Sequence, residues 1–172
     1  GVETFDEEVA TLVDVNTFYC FIYDAEGNLV ENGQFKYANR PTAEAPLMLK
    51  AGNYTLKMSS GVMTDGEGNT VDAAWESPVY GLAKPFTINI KQTTELTDLV
   101  CTLQNIQATV RYSADLRAAL SDDTIATLTV GNGSLNYSMS ESRSGFFAAP
   151  EAKNDIDILI VGTYTAEGKA PA

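Results

Sequence analysis

Apolar and polar residues alternate along most of this chain in short runs with a period of two, which predicts strands. In Phe18-Tyr19-Cys20-Phe21-Ile22-Tyr23, aromatic and β-branched side chains fill both sets of alternate positions. That is the pattern of a strand covered on both sides or lying in a sandwich core. Asp24-Ala25-Glu26-Gly27-Asn28 then supplies turn chemistry, and Leu29-Val30 resumes a strand. Similar runs predict strands at 34–37, 54–59, 86–90, 99–103, 108–112, 125–130, 135–139, 145–148 and 156–163, with a short apolar edge at 47–49. Residues 73–81 are irregular but carry anchoring aromatics. Gly131-Asn132-Gly133 reads as a turn between two strands. One helix is predicted, at 114–121, capped by Ser113 and burying Leu116 and Leu120 on one side.

About a dozen short strands at roughly 8–12-residue spacing are the signature of a sandwich or barrel. The fold class expected is all-β: two tandem β-sandwich, Greek-key-like domains with one short helix. Two domains of about 80 residues fit the strand count better than one. The boundary is placed between 1–92 and 93–172, the second domain being open to continuation beyond this chain.

Composition sharpens the picture mainly by exclusion. The 172 residues include no histidine, so Ser-His-Asp and Cys-His nucleophile systems and His-containing zinc sites are excluded. The net charge of −12 comes from 23 acidic and 11 basic residues. The acids are spread: 13 lie in residues 1–90 against five bases, and ten in 91–172 against six. With no basic stripe, nucleic acid and anionic membrane surfaces are not expected partners. No apolar run approaches a spanning helix, and Gly1-Val2-Glu3-Thr4 lacks the basic start and apolar core of a signal peptide, as expected of a trimmed chain. Cys20 and Cys101 suit neither a CxxC redox pair nor a zinc site; a disulfide and two buried thiols are both open.

The candidate chemistry is sparse. Asp65, Glu67, Asn69 and Glu76 fall at positions 1, 3, 5 and 12 of a calcium-binding loop, where alternating oxygens and a terminal Glu wrap a hard cation. Thr70 stands where that loop needs glycine, and no helices flank it, so the plainer reading is a solvated hairpin loop. Asp24-Ala25-Glu26-Gly27-Asn28 repeats the theme with no terminal Glu, which favours turn chemistry for both. Carboxylate pairs for glycosidase work, such as Glu76, or Asp122 with Asp123, are accounted for by coincidence among 23 acids. Ser-x-x-Lys is absent, Ser59-Ser60-Gly61 and Ser142-Arg143-Ser144-Gly145 read as turns, and Gly66-Glu67-Gly68 lacks the third glycine of a dinucleotide fingerprint. Trp75 and Tyr80, with Tyr54, Tyr37 and Phe86, could form an aromatic platform for a sugar ring, although such rings more often fill a sandwich core. No catalytic residue, cofactor or metal is expected.

A resemblance carries the reading further. The residues that carry it are Val13-Asp14-Val15-Asn16-Thr17-Phe18, the Asp24–Gly27 turn, Leu49-Lys50-Ala51-Gly52-Asn53-Tyr54, Trp75-Glu76-Ser77-Pro78-Val79-Tyr80-Gly81 and the stretch from Val100 to Val110. In order, over about residues 13–165, they resemble a family of Bacteroidales surface lipoproteins of unknown function, labelled fimbrillin-like or cell-adhesion proteins. The resemblance implies a pair of β-sandwiches and export to the outer-membrane cell surface, with the signal and lipid anchor absent from this chain. It implies no catalytic residues. The function expected is a non-catalytic adhesion or fimbria-like structural module; the alternative is a carbohydrate-binding module of a surface glycan-capture system. Expected partners are a surface glycan or protein of a host or neighbouring cell, or other subunits of a surface assembly. The strand at 156–163 adds a specific expectation: left without a neighbour, it would offer an open edge.

Overall fold

The computed structural model describes residues 13–165, in which eleven strands and one α-helix are found. In chain order they are β1 (Tyr19–Asp24), β2 (Leu29–Lys36), β3 (Gly52–Ser59), β4 (Ala73–Trp75), β5 (Tyr80–Ile88), β6 (Thr102–Leu103), β7 (Ile106–Ala108), α1 (Ala114–Ala119), β8 (Ile125–Val130), β9 (Gly133–Ser138), β10 (Gly145–Phe147) and β11 (Asp157–Val161). The protein is all-β, with three antiparallel sheets and one short helix among the described residues. The sheets run β2-β1-β3-β5-β6, β4-β10-β7 and β11-β8-β9.

The chain divides into two compact units that interleave in sequence. One takes in the described parts of Gly1–Gly61 and Tyr80–Thr102; the other takes in Val62–Val79 and the described residues from Leu103 onward.

The first unit is built on the five-stranded sheet, and its core follows from strand alternation. Cys20 and Ile22 of β1 stand opposite Met58 and Leu56 of β3, so four buried side chains share one face. Phe18 completes the buried set, with Leu82, Phe86, Leu99 and Cys101 packed against it. Both cysteines are free thiols. Burial pushes the Cys20 thiol up to about 11, with Cys101 nearby adding to the rise and Arg40 opposing it. The other face of β1 is not covered by a second apolar layer. Phe21 and Tyr23 stack with centroids 6.4 Å apart, and the ammonium groups of Lys57 and Lys36 lie over Tyr23 and Tyr19. Lysine stems and cation–π contacts thus finish a face that the sequence pattern left open between two readings.

In the second unit, β8 alternates strictly: Ala126, Leu128 and Val130 are buried, and Ile125, Thr127 and Thr129 are less so. They join Tyr112, Tyr137, Met139 and Phe147 in one core, to which Ala73, Trp75, Ile106 and Ala108 of the neighbouring sheet contribute. The β8–β9 hairpin closes through Gly131-Asn132, with Val130 opposite Gly133. Gly131 has φ +55°, the left-handed conformation that a two-residue hairpin of this kind requires at its first position.

Several local expectations need correction. Leu47–Leu49 form no strand; they follow Pro46 as irregular chain and only partly pack on the first core. The irregular stretch 73–81 hides β4 and the beginning of β5. Residues 109–112 leave the sheet after β7, although Tyr112 still enters the core. The helix is capped by the Ser113 hydroxyl, which accepts from Leu116 N–H at 3.3 Å. Leu116 itself is exposed, since one and a half turns are too short to present an apolar stripe.

Candidate functional site

The two D-x-E-G-N sequences fold alike. Asp24 Oδ1 accepts from Glu26 N–H (3.0 Å) and Asn28 N–H (2.8 Å). Asp65 Oδ1 accepts from Glu67 N–H and Asn69 N–H, each at 2.9 Å. The second oxygen of Asp65 accepts from the Asn69 side-chain amide, which with the backbone donors holds its carboxyl below the usual carboxylate range. Asp24 therefore commits one carboxylate oxygen, and Asp65 both, to its own turn. Glu76 is used elsewhere: its Oε1 accepts from Ser144 N–H at 2.7 Å, and its own N–H donates to Ser144 O at 2.8 Å. No group of three Cys, Asp or Glu side chains among the described residues is gathered as metal ligands.

Trp75 lies in the second unit on β4, opposite Gly145 of β10. Its ring meets Tyr137 edge-on, with centroids 4.7 Å apart at 73°, and the Arg143 guanidinium lies 4.6 Å over it. Arg143 is fixed in turn by Glu141, with Nε–Oε1 and Nη2–Oε2 both 2.9 Å, while Glu141 Oε1 also accepts from Arg143 N–H at 3.0 Å. This bidentate geometry holds the Glu141 carboxyl down at about 2. Nearby, Gln107 donates to the Ser144 hydroxyl, and its side-chain oxygen is buried without a partner. Serine and arginine at 142–144 predict only a turn; the clamp that Arg143 and Glu141 place on Trp75 carries no sequence signal, because it joins β4 to a loop almost seventy residues later.

The clamp makes a pH prediction. A carboxylate whose folded value is lowered from 4.5 to about 2 gives stability that is present above 4.5 and is lost as the pH falls through about 2. Trp75 emission and its quenching by acrylamide should therefore hold steady from neutrality to about pH 4. They should change toward pH 2, as Arg143 is released. In Glu141→Gln the released state should already be present at pH 7. A wild-type transition centred at 4.5 would contradict the clamp.

Tyr80 belongs to the first unit. Its ring helps line an apolar pocket of about 280 Å³ with Phe18, Met58, Leu99 and Cys101. A more polar hollow of about 580 Å³ lies by Arg40, whose guanidinium stacks 4.4 Å from the Tyr37 ring.

Among the described residues, a run of consecutive exposed apolar side chains forms one strand. β11 pairs only with β8 among the described residues, and every one of its residues is exposed. Ile158 stands beside buried Leu128 and Ile160 beside buried Ala126, so these two continue the core face of β8 beyond the core. Leu159 and Val161 lie on the opposite face, beside Thr127 and Ile125. Their exposures run from 55% to 63%. The backbone groups of β11 directed away from β8 form an open edge.

These observations define an all-β protein that carries an ion-paired clamp on Trp75 and an open apolar strand among its described residues. The model of the family described as Domain of unknown function (DUF4493) matches residues 6–171, and the chain belongs to this family. No curated protein and no solved structure matches the chain. No helix among the described residues is long and apolar enough to cross a membrane.

Proposed function

We propose that this chain is a non-catalytic, cell-surface adhesion or fimbria-like structural module, its two units being β-sandwich domains of Greek-key type. The observation that carries this reading is β11: an apolar strand exposed on both faces, with a free edge, on a sheet whose core is otherwise closed. Such an edge is a contact surface, and main-chain pairing supplies affinity without a carved pocket. The resemblance to fimbrillin-like Bacteroidales surface lipoproteins supports the same reading, and with it export to the outer membrane. Contact with a surface glycan, a surface protein or another subunit follows from that placement.

A carbohydrate-binding module is less well supported. A sugar platform needs an open aromatic face, and the Trp75 ring carries Arg143 over one face and packs T-shaped against Tyr137. The test is an array of glycans and host-surface proteins probed with the purified chain, in calcium and in chelator. Saturable binding that survives Trp75→Ala and is unmoved by chelator is the expected result. Binding abolished by Trp75→Ala in a folded variant would favour the sugar platform. Loss on chelation would restore Asp65, Glu67, Asn69 and Glu76 as a cation site, and silence across the array would remove the adhesive reading.

A further inference from the structure

We propose that the free edge of β11 is a self-association interface: two copies of this chain pair their β11 strands antiparallel, fusing two three-stranded sheets into one six-stranded sheet. This rests on the reading of β11 as the contact surface and names its partner.

The first argument is that the edge lacks the usual protection. Natural edge strands are blunted by inward charges, proline, bulges or shortness. From Ile158 to Val161 there is no charge and no proline, and the β8–β11 register runs without a break from Asp157–Thr129 to Val161–Ile125.

The second argument is self-complementarity. In an antiparallel pair, residues directly opposite point to the same face. Symmetric registers centred on a residue keep the core faces of both copies on one side, and two of them are centred in the middle of the apolar run Ile158–Val161. With Leu159 opposite Leu159 of the second copy, Ile158 meets Ile160 twice. With Ile160 opposite Ile160, Leu159 meets Val161 twice. Asp157 is the strand's one charged residue, and it meets Val161 in the first register and Thr163 in the second. In neither of these registers do like charges face each other, so a chain of net charge −12 can still associate here.

The third argument concerns the other segments of the chain that could lie along this edge. Residues 166–172, Ala-Glu-Gly-Lys-Ala-Pro-Ala, offer no apolar side chain beyond alanine and proline. Residues 1–12 carry Asp6-Glu7-Glu8 in succession, and their longest uncharged run, Val9 to Leu12, is one residue shorter than β11. β11 of a second copy matches the edge in length and in apolarity on both faces. Because the same patch is used on both partners, the contact closes at two copies.

Sedimentation over a wide concentration range tests this. The expected result is a reversible monomer–dimer equilibrium, with the mass rising from 18.5 kDa to twice that value. The double variant Leu159→Lys/Ile160→Lys sets cations across from each other in either register and should weaken the dimer about a hundredfold or more. Both positions are exposed, so its circular dichroism and Trp75 emission should match the wild type. If that variant fails to fold, single cysteines decide instead: Leu159→Cys or Ile160→Cys should form an intermolecular disulfide under mild oxidation, and Ser134→Cys on β9 should not. A wild type that stays monomeric overturns the proposal. So do a dimer indifferent to the lysines, cross-linking equal at all three positions, and a ladder of higher oligomers, which would point to head-to-tail contacts. Array binding by a strict monomer would sink this proposal alone; a dimer silent on the array would sink only the adhesive reading.

Discussion

Replacing Tyr137 by alanine should cost the second unit about 3–5 kcal/mol. Its ring is fully buried and T-shaped against Trp75, and its hydroxyl donates to Ala108 O at 2.9 Å. The alanine variant leaves a ring-sized cavity and strips a β7 carbonyl of that donor. Tyr137→Phe isolates the second part and should cost about 1–3 kcal/mol. Urea titration followed by Trp75 emission measures both, since the chain's single tryptophan sits against this ring. The phenol adds a pH signature. Burial raises it from 10.0 to about 12, so the stability it contributes is complete below pH 10 and is lost as the pH rises toward 12. Tyr137→Phe should lose less stability than the wild type across that interval. Equal losses would mean that the phenol ionises as freely in the fold as in the open chain.

Gly133→Ala should come next, at about 1–3 kcal/mol or more. A Cβ there would run into the carbonyl carbon and oxygen of Asp72 and reach 3.0 Å from Ala73 Cβ. The obstacle is mainly backbone leading into β4, so it cannot rotate away. Gly131, two residues earlier, makes a useful comparison. Its nearest neighbour is Pro150 Cγ at 3.6 Å, and what it supplies is a φ of +55°. Gly131→Ala should therefore cost about 1 kcal/mol from conformation alone. Gly131→Asn should recover part of that, since asparagine tolerates left-handed backbone; Gly133→Asn should recover nothing. Midpoints from the same urea titrations rank the four variants, and equal losses for the two alanines would refute the crowding at Gly133.

Alternation made β3, β8 and β9 legible and an unbroken β-branched and aromatic run made β1 and β11 legible, because each has at least five residues and a strand's local state is written in its own side chains. The Ser113 cap and the Gly131-Asn132 turn were legible for the same reason. Partners were not. β4 has three residues, too few to show a period, and it reads as irregular chain until Phe146 and Phe147 of β10 are set beside it. Nothing in the composition of 62–79 says that it packs with 103–161 and not with its flanks. The clamp on Trp75 was hidden by the same ignorance of partners. Trp75 reads from the sequence only as one aromatic among several, and what covers it comes from Glu141 and Arg143. Asp65 was legible as a turn residue because its hydrogen bonds are all within four positions, whereas Glu76 takes its donor from Ser144.

The interleaving of the two units has a consequence for synthesis. A chain is made from its N-terminus, and β4 cannot take its place until β10 exists, because Ala74 pairs with Phe146. At about 5–20 residues per second, the ribosome needs several seconds to bridge that interval. Over that time the first unit can close around β1, β3 and β5, while Trp75 and its neighbours wait as an unpaired apolar segment. The second unit is the one exposed to chaperones, proteases and mispairing during biogenesis, and its folding rate is set by the return of a distant strand.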